Sequence, residues 1–125
     1  MAEGYVIQDK PFVVPTTDGK LIEEFFGLAS INAGNLSFAH MVAPPGWSEP
    51  YQTPEFDEIT YIISGKKQFE INGEVIVLEK NRSICVFKGT RVRYSNPFGE
   101  PVEYISVCIP AFSPEEVHRE SPVNS

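Results

Sequence analysis

The most restrictive feature of the chain is Asn72-Gly73, set between the alternating run Lys67-Gln-Phe-Glu-Ile71 and the strand-like run Glu74-Val-Ile-Val-Leu78. A type I′ turn needs positive φ at both central residues, which Asn and Gly reach at least cost, so this segment predicts a tight antiparallel hairpin. The surrounding sequence repeats the theme. Runs rich in Val, Ile, Phe and Tyr occupy Leu36–Ala43, Glu58–Ser64, Ser83–Phe87, Thr90–Ser95 and Val102–Ile109. Pro44-Pro45-Gly46, Gly65 and Asn96-Pro-Phe-Gly99 punctuate them. Phe12–Val14 and Leu21–Phe26 read as edge strands. About nine short strands imply an all-β sandwich or small barrel. One helix start stands out: Ser113-Pro-Glu-Glu116 offers a capping serine, proline at the first helical position and a glutamate three residues on. The helix is expected to last about two turns before Ser121-Pro122, with frayed residues beyond.

A length of 125 residues fits one domain, taken as residues 1–125 with a core over about 10–112. The formal net charge of −7 argues against nucleic acid or an anionic membrane surface as partner, and no basic run exceeds Lys66-Lys67. No apolar stretch is long enough to span a bilayer, and Met1–Tyr5 lacks the basic and apolar regions of a secretory leader, so a cytoplasmic protein is expected. Cys85 and Cys108 fall inside apolar runs without metal-type spacing, and read as buried free thiols.

The spacing of several residues resembles the two signatures of the cupin superfamily. In the first, Gly46 opens the motif, Tyr51 and Thr53 stand where two histidines are usual, and Glu58 and Gly65 follow. In the second, Phe87-Lys-Gly89 leads to Val92 in the histidine place and then to Asn96. Of the expected metal ligands only Glu58 is kept. The aromatic-Asp-Glu-Ile-x-Tyr segment Phe56–Tyr61 and the run Val92-Arg93-Tyr94 are similar to the cupin domain of ethanolamine-utilisation protein Q, which also lacks the histidines. The resemblance implies an all-β fold, a cupin (RmlC-like jelly-roll) antiparallel β-barrel, here with a short C-terminal helix. It also implies the homodimer habit of small cupins, with Phe12–Val14 or Phe25-Phe26 as the apolar contact. An acetate-kinase-type activity has been attributed to that family. Nothing here resembles a phosphate-binding loop, so that activity is not carried over.

In a cupin the two signatures face each other across the barrel mouth, and a strand's period of two assigns the inward face. Glu58 inward brings Thr60 with it; Val92 inward brings Tyr94 and Asn96. The expected pocket comprises Glu49, Tyr51, Thr53, Glu58, Thr60, Val92, Tyr94 and Asn96, with Trp47 and Gln52 at the rim. Glu58, Tyr51 and Tyr94 are the candidates for catalysis. Without histidines the usual grip on a transition metal is lost, so neither metal nor other cofactor is expected. Glu58 then becomes a desolvated carboxylate beside tyrosine hydroxyls, the outline of an acid/base site for isomerisation or elimination on a small metabolite. Two alternatives stay open: an oxygen-rich metal site built on Glu58, Glu49 and Gln52, and a non-catalytic accessory module. The acidic residues Glu49, Glu55, Asp57 and Glu58 suit an amine-bearing ligand, or else Glu55 and Asp57 merely solvate their loop. His40 reads as a packed or interface residue, His118 as a partner of the C-terminal helix dipole, and Arg91 and Arg93 as barrel-exterior or subunit-interface charges pointing away from the pocket.

Overall fold

A computed structural model describes residues 4–121. Nine strands form in chain order: β1 Phe12–Val13, β2 Leu21–Phe26, β3 Ser37–Ala43, β4 Asp57–Ser64, β5 Lys66–Ile71, β6 Glu74–Glu79, β7 Ser83–Val86, β8 Val92–Ser95 and β9 Val102–Ile109. They pair antiparallel in two sheets, β1-β2-β3-β9-β4-β7 and β6-β5-β8. Among the described residues the two ladders stay separate rather than closing into one ring.

The predicted hairpin is made, with Asn72 at φ 52° and Gly73 at φ 79° between β5 and β6. Gly65 links β4 to β5 at φ 80°, and a Cβ there would stand 2.4 Å from the carbonyl oxygen of Pro101. No other residue fits that turn, which is the physical content of the glycine closing the first signature.

The core lies between the sheets. Ala43, Ile62, Val86, Val102 and Tyr104 from the large sheet meet Phe69, Leu78, Val92 and Tyr94 from the small one, with Trp47 beside them. Full burial of such side chains contributes about 1.5–3 kcal/mol each. Phe56, Cys108 and Val117 form a second cluster with Phe112.

Four expectations need correction. β2 is interior, hydrogen-bonded to both β1 and β3, so of these two strands β1 alone is an edge; Phe25 packs edge-on against Phe38 at 6.4 Å. The two-turn C-terminal helix is a single 3-10 turn, Pro114–Glu116. Ser113 Oγ donates to the Glu115 carboxylate instead of capping, and His118 at φ 53° turns the chain toward a bridge between Arg119 and Gln52. The frayed residues expected beyond Pro122 lie outside the described residues. A four-residue helix α1, Leu28–Ile31, has no sequence signal; the buried Glu24 carboxylate accepts from the Ala29 and Ser30 N–H groups at its start. Cys108 is buried as expected, but Cys85 is exposed, because β7 turns Ile84 and Val86 inward and Cys85 outward.

Candidate functional site

A cavity of about 430 Å³ opens on the inner face of the large sheet. Four of the expected residues line it: Glu49, Gln52, Glu58 and Tyr94. Lys20, Glu24, Lys67, Ser106, Cys108 and Arg119 join them, over an apolar wall that includes Met41, Phe56 and Phe112.

Glu58 stands near the start of β4, where Thr60 and Ile62 share its inward face and are buried. In the paired strand β9 the inward set is Val102, Tyr104, Ser106 and Cys108. Cys108 is directly opposite Glu58 and Ser106 opposite Thr60, which puts Ser106 diagonally beside the carboxylate. Ser106 Oγ donates to Glu58 Oε2 at 2.5 Å, and Tyr94 OH donates to Oε1 at 3.3 Å. Burial, then the Glu58 charge, push the Tyr94 hydroxyl well above its usual range, so Tyr94 stays a donor at neutral pH.

Lys67 shares the inward face of β5 with the fully buried Phe69. Its side chain is 1% exposed, and Nζ lies 3.7 Å from the Tyr104 ring centroid, 4.5 Å from Tyr94 and 5.2 Å from Phe69. Burial, and then the positive charge of Lys20, bring its pKa down to about 7 against the pull of Glu58 and Glu49. Lys20 enters just before β2. Its Nζ pairs with Glu49 Oε2 at 3.3 Å and lies 4.6 Å from the Trp47 ring centroid. Burial disfavours the Lys20 ammonium, but Tyr104 and Glu49 outweigh it and hold its pKa above the ordinary lysine value. The Tyr104 hydroxyl, pushed up to about 12 by burial, has no hydrogen-bond partner among the described residues. Arg119 donates to Glu49 Oε1 at 3.4 Å and to Gln52 Oε1 at 3.3 Å, completing the polar rim.

Six expected pocket residues do not line the cavity. Tyr51 donates to Glu70 at 3.4 Å and stacks under Arg91, whose Cζ is 3.7 Å from its ring. The cause is register. Isolated bridges pair Ser48 with Ser95 and Gln52 with Val92, so three residues of this segment face two of β8. That extra residue is a bulge, and it reverses which side chains face inward. Gln52, opposite the inward Val92, enters the cavity; Tyr51 and Thr53 do not. Thr60 and Val92 are core, at 1% and 0% exposure. Asn96 is a structural pin: Nδ2 donates to the carbonyls of Ala43, Pro44 and Glu100, and Oδ1 accepts from the Phe98 N–H. Trp47 is buried and donates to Asp18 at 2.8 Å. Arg91 and Arg93 take exterior roles, paired with Glu120 and Glu70. His40 is half-buried between Glu23 and Glu103, and His118 pairs with Glu55 rather than with a helix end.

The residues sequence reasoning missed differ in how visible they were. Lys67 heads the same alternation that places Phe69 inward, and Ser106 lies in phase with Tyr104 and Cys108, so period two points to both. Lys20 and Arg119 lie outside the strands, where no periodicity applies.

A metal does not fit this donor set. Among the described residues no three His, Cys, Asp or Glu side chains converge. Glu49 and Gln52 already face cationic partners, Glu58 is held by hydroxyls, and two lysine side chains line the same cavity. Tyr51, Thr53 and Val92 at the expected ligand positions offer no replacement for imidazole.

The two facing antiparallel sheets and the inward Glu58 are those of a cupin, and the Cupin domain family matches residues 39–108. The chain belongs to that family. Among solved structures it is similar to the EutQ protein of Clostridium difficile, 23% identical with a TM-score of 0.63, covering 82% of this chain and 73% of that one. An RmlC-like cupin from Shewanella frigidimarina has a TM-score of 0.70 at 14% identity, covering 86% and 91%. The curated relative it matches is a Myxococcus xanthus protein named Endoribonuclease YbeY, 43% identical over 110 residues. The match takes in 88% of this chain but spans only 37% of that relative's length.

Proposed function

We propose that the protein is a small-molecule-binding cupin whose cavity supports metal-independent proton transfer on a small polar metabolite. One observation carries this reading. Glu58, oriented by Ser106 and Tyr94, lines the same cavity as Lys67, an amine whose pKa of about 7 lets it gain or lose a proton near neutrality. Tyr94 links the two, donating to Glu58 while its ring faces Lys67. The mixed lining of carboxylates, hydroxyls and apolar wall is the usual composition of a small-molecule site.

The likeness to EutQ is one of fold, so no kinase activity follows from it. The name of the Myxococcus relative belongs to a protein of which this chain spans 37%, and a net charge of −7 disfavours an RNA backbone as partner. Cleavage of RNA is therefore no part of the proposal. Assembly as a homodimer belongs to it, through the β1 edge, where Phe12 and Val13 are 43% and 56% exposed. So does a single unit spanning the chain in the cytoplasm; among the described residues no helix is long and apolar enough to cross a membrane. The test is solvent-deuterium incorporation into metabolites that bind. Exchange catalysed by wild type and abolished in Glu58→Gln supports the reading; binding without exchange reduces the protein to a non-catalytic binding module.

A further inference from the structure

Of the two buried lysines among the described residues, Lys67 is the one whose surroundings do not explain its charge-bearing side chain. Lys20 has Glu49 as counter-ion at 3.3 Å, and Glu58 has two hydroxyl donors. Lys67 Nζ makes no hydrogen bond or ion pair among the described residues; the faces of Tyr104, Tyr94 and Phe69 surround it, and its free side is the cavity. An amine screened from water and placed beside a second ammonium is held partly neutral, with its lone pair available. The charged groups around it are Lys20, Glu49 and Glu58; the neighbouring Tyr94, Tyr104 and Cys108 are kept protonated by burial. A purely structural residue at this depth would be apolar, since burying an unpaired amine costs stability.

We infer that Lys67 is a nucleophilic amine that captures a small aldehyde or ketone in the cavity as a Schiff base. The inference rests on the reading of this cavity as the binding site and names its substrate class as carbonyl compounds. The neutral amine attacks the carbonyl carbon; a C–N bond forms and the carbonyl π electrons move to oxygen, which takes a proton. The nitrogen gives up its two protons over the sequence, and the carbinolamine loses water as the lone pair on nitrogen completes C=N. Glu58 is the cavity carboxylate placed to receive the first proton and return it to the departing hydroxyl. No oxidant or reductant is needed.

The experiment is reductive trapping of the intact protein with acetone and cyanoborohydride near pH 6.5, followed by peptide mass mapping of every lysine. Lys67 is expected to carry the isopropyl adduct at least about tenfold more than exposed Lys88, because ordinary lysines are almost wholly protonated at that pH. Lys67 labelled no more than Lys88 overturns the inference, and this readout in wild type does not depend on any variant folding. Lys67→Met, checked for an intact melting transition, should lose that adduct and leave the labelling of the exposed lysines unchanged; wild-type labelling of Lys20, the other lysine of the cavity, that equals or exceeds that of Lys67 would overturn the assignment to Lys67. Two outcomes separate this inference from the reading beneath it. Metabolites that raise the melting temperature while Lys67 stays unlabelled leave the binding site standing and remove the Schiff base. Strong Lys67 labelling that is equal in Glu58→Gln sustains the amine chemistry and removes Glu58 as its proton carrier.

Discussion

Ser106 Oγ lies 2.5 Å from Glu58 Oε2, diagonally across the β4–β9 ladder, and fixes the carboxylate toward the cavity. A hydrogen bond to a charged group contributes about 1.5–3 kcal/mol, and its loss leaves a largely enclosed carboxylate a partner short. Ser106→Ala is expected to lower the urea-unfolding free energy by about that amount. An unchanged midpoint and slope would mean that the hydroxyl does not hold Glu58.

Lys67 makes the protein's stability depend on pH in an unusual direction. Its folded pKa of about 7 lies below the ordinary lysine value of 10.5, so between those limits the unfolded chain binds more protons than the folded one. Stability from this group therefore rises with pH across that window: the penalty is complete below pH 7 and gone above about 10.5. Lys67→Met should stabilise the protein by a few kcal/mol, on the order of the shift, at pH 6, and by progressively less toward pH 10. Tyr94, Tyr104 and Cys108, all raised by burial, pull the other way above about pH 9, so the difference between wild type and variant is the quantity to follow. A difference that stays constant with pH would show that Lys67 is not charged differently in the two states.

His40 gives the opposite slope. Burial alone would lower its pKa, but the hydrogen bonds its ring donates to Glu103 at 2.6 Å and Glu23 at 2.9 Å outweigh this and raise it. A raised folded pKa means stability fully present below the ordinary value of 6.5 and lost as pH climbs through the folded value. His40→Gln should thus cost more at pH 5.5 than at pH 8.5 in paired chemical denaturation. Equal costs at both would contradict the charged bridge.

Gly65 and Gly46 share nearly the same positive φ, 80° and 82°, but differ in what a Cβ would meet. At Gly46 nothing lies within 4 Å; at Gly65 the Pro101 carbonyl oxygen and Val102 Cα are 2.4 and 2.9 Å away. Gly46→Ala should cost about 1 kcal/mol, the left-handed backbone alone, and Gly65→Ala about 3 kcal/mol or more. Melting temperatures of the two variants make the comparison; equal losses would mean the β4–β5 turn relaxes freely.

The strands are legible from the chain because alternation and turn chemistry agree wherever both occur. All nine appear near the expected places, and Asn72-Gly73 turns as its residue types require. Glu58 and Tyr94 follow from the same alternation, and so, in principle, do Lys67 and Ser106. Tyr51 and Thr53 do not, because period two holds only while the ladder is regular, and the bulge between Ser48 and Gln52 shifts it by one. Lys20 and Arg119 reach the cavity from irregular segments, where only tertiary packing decides direction. The helix after Ser113 fails for a related reason. A good local capping pattern loses to the buried Val117 and the bridge from Arg119 to Gln52, which draw the chain straight after one turn.

The most direct test of a binding cavity built on Glu58 is thermal melting of wild type and Glu58→Gln against a library of small polar and carbonyl metabolites, with divalent metals in parallel. A ligand at a hundredfold excess over its dissociation constant stabilises the folded state by about 2.7 kcal/mol, a shift well within reach of the measurement. At least one metabolite should raise the melting temperature of wild type, by a margin that shrinks in Glu58→Gln, while the metals leave both unchanged. Stabilisation by a divalent metal that vanishes in Glu58→Gln, with no metabolite effect, would contradict it.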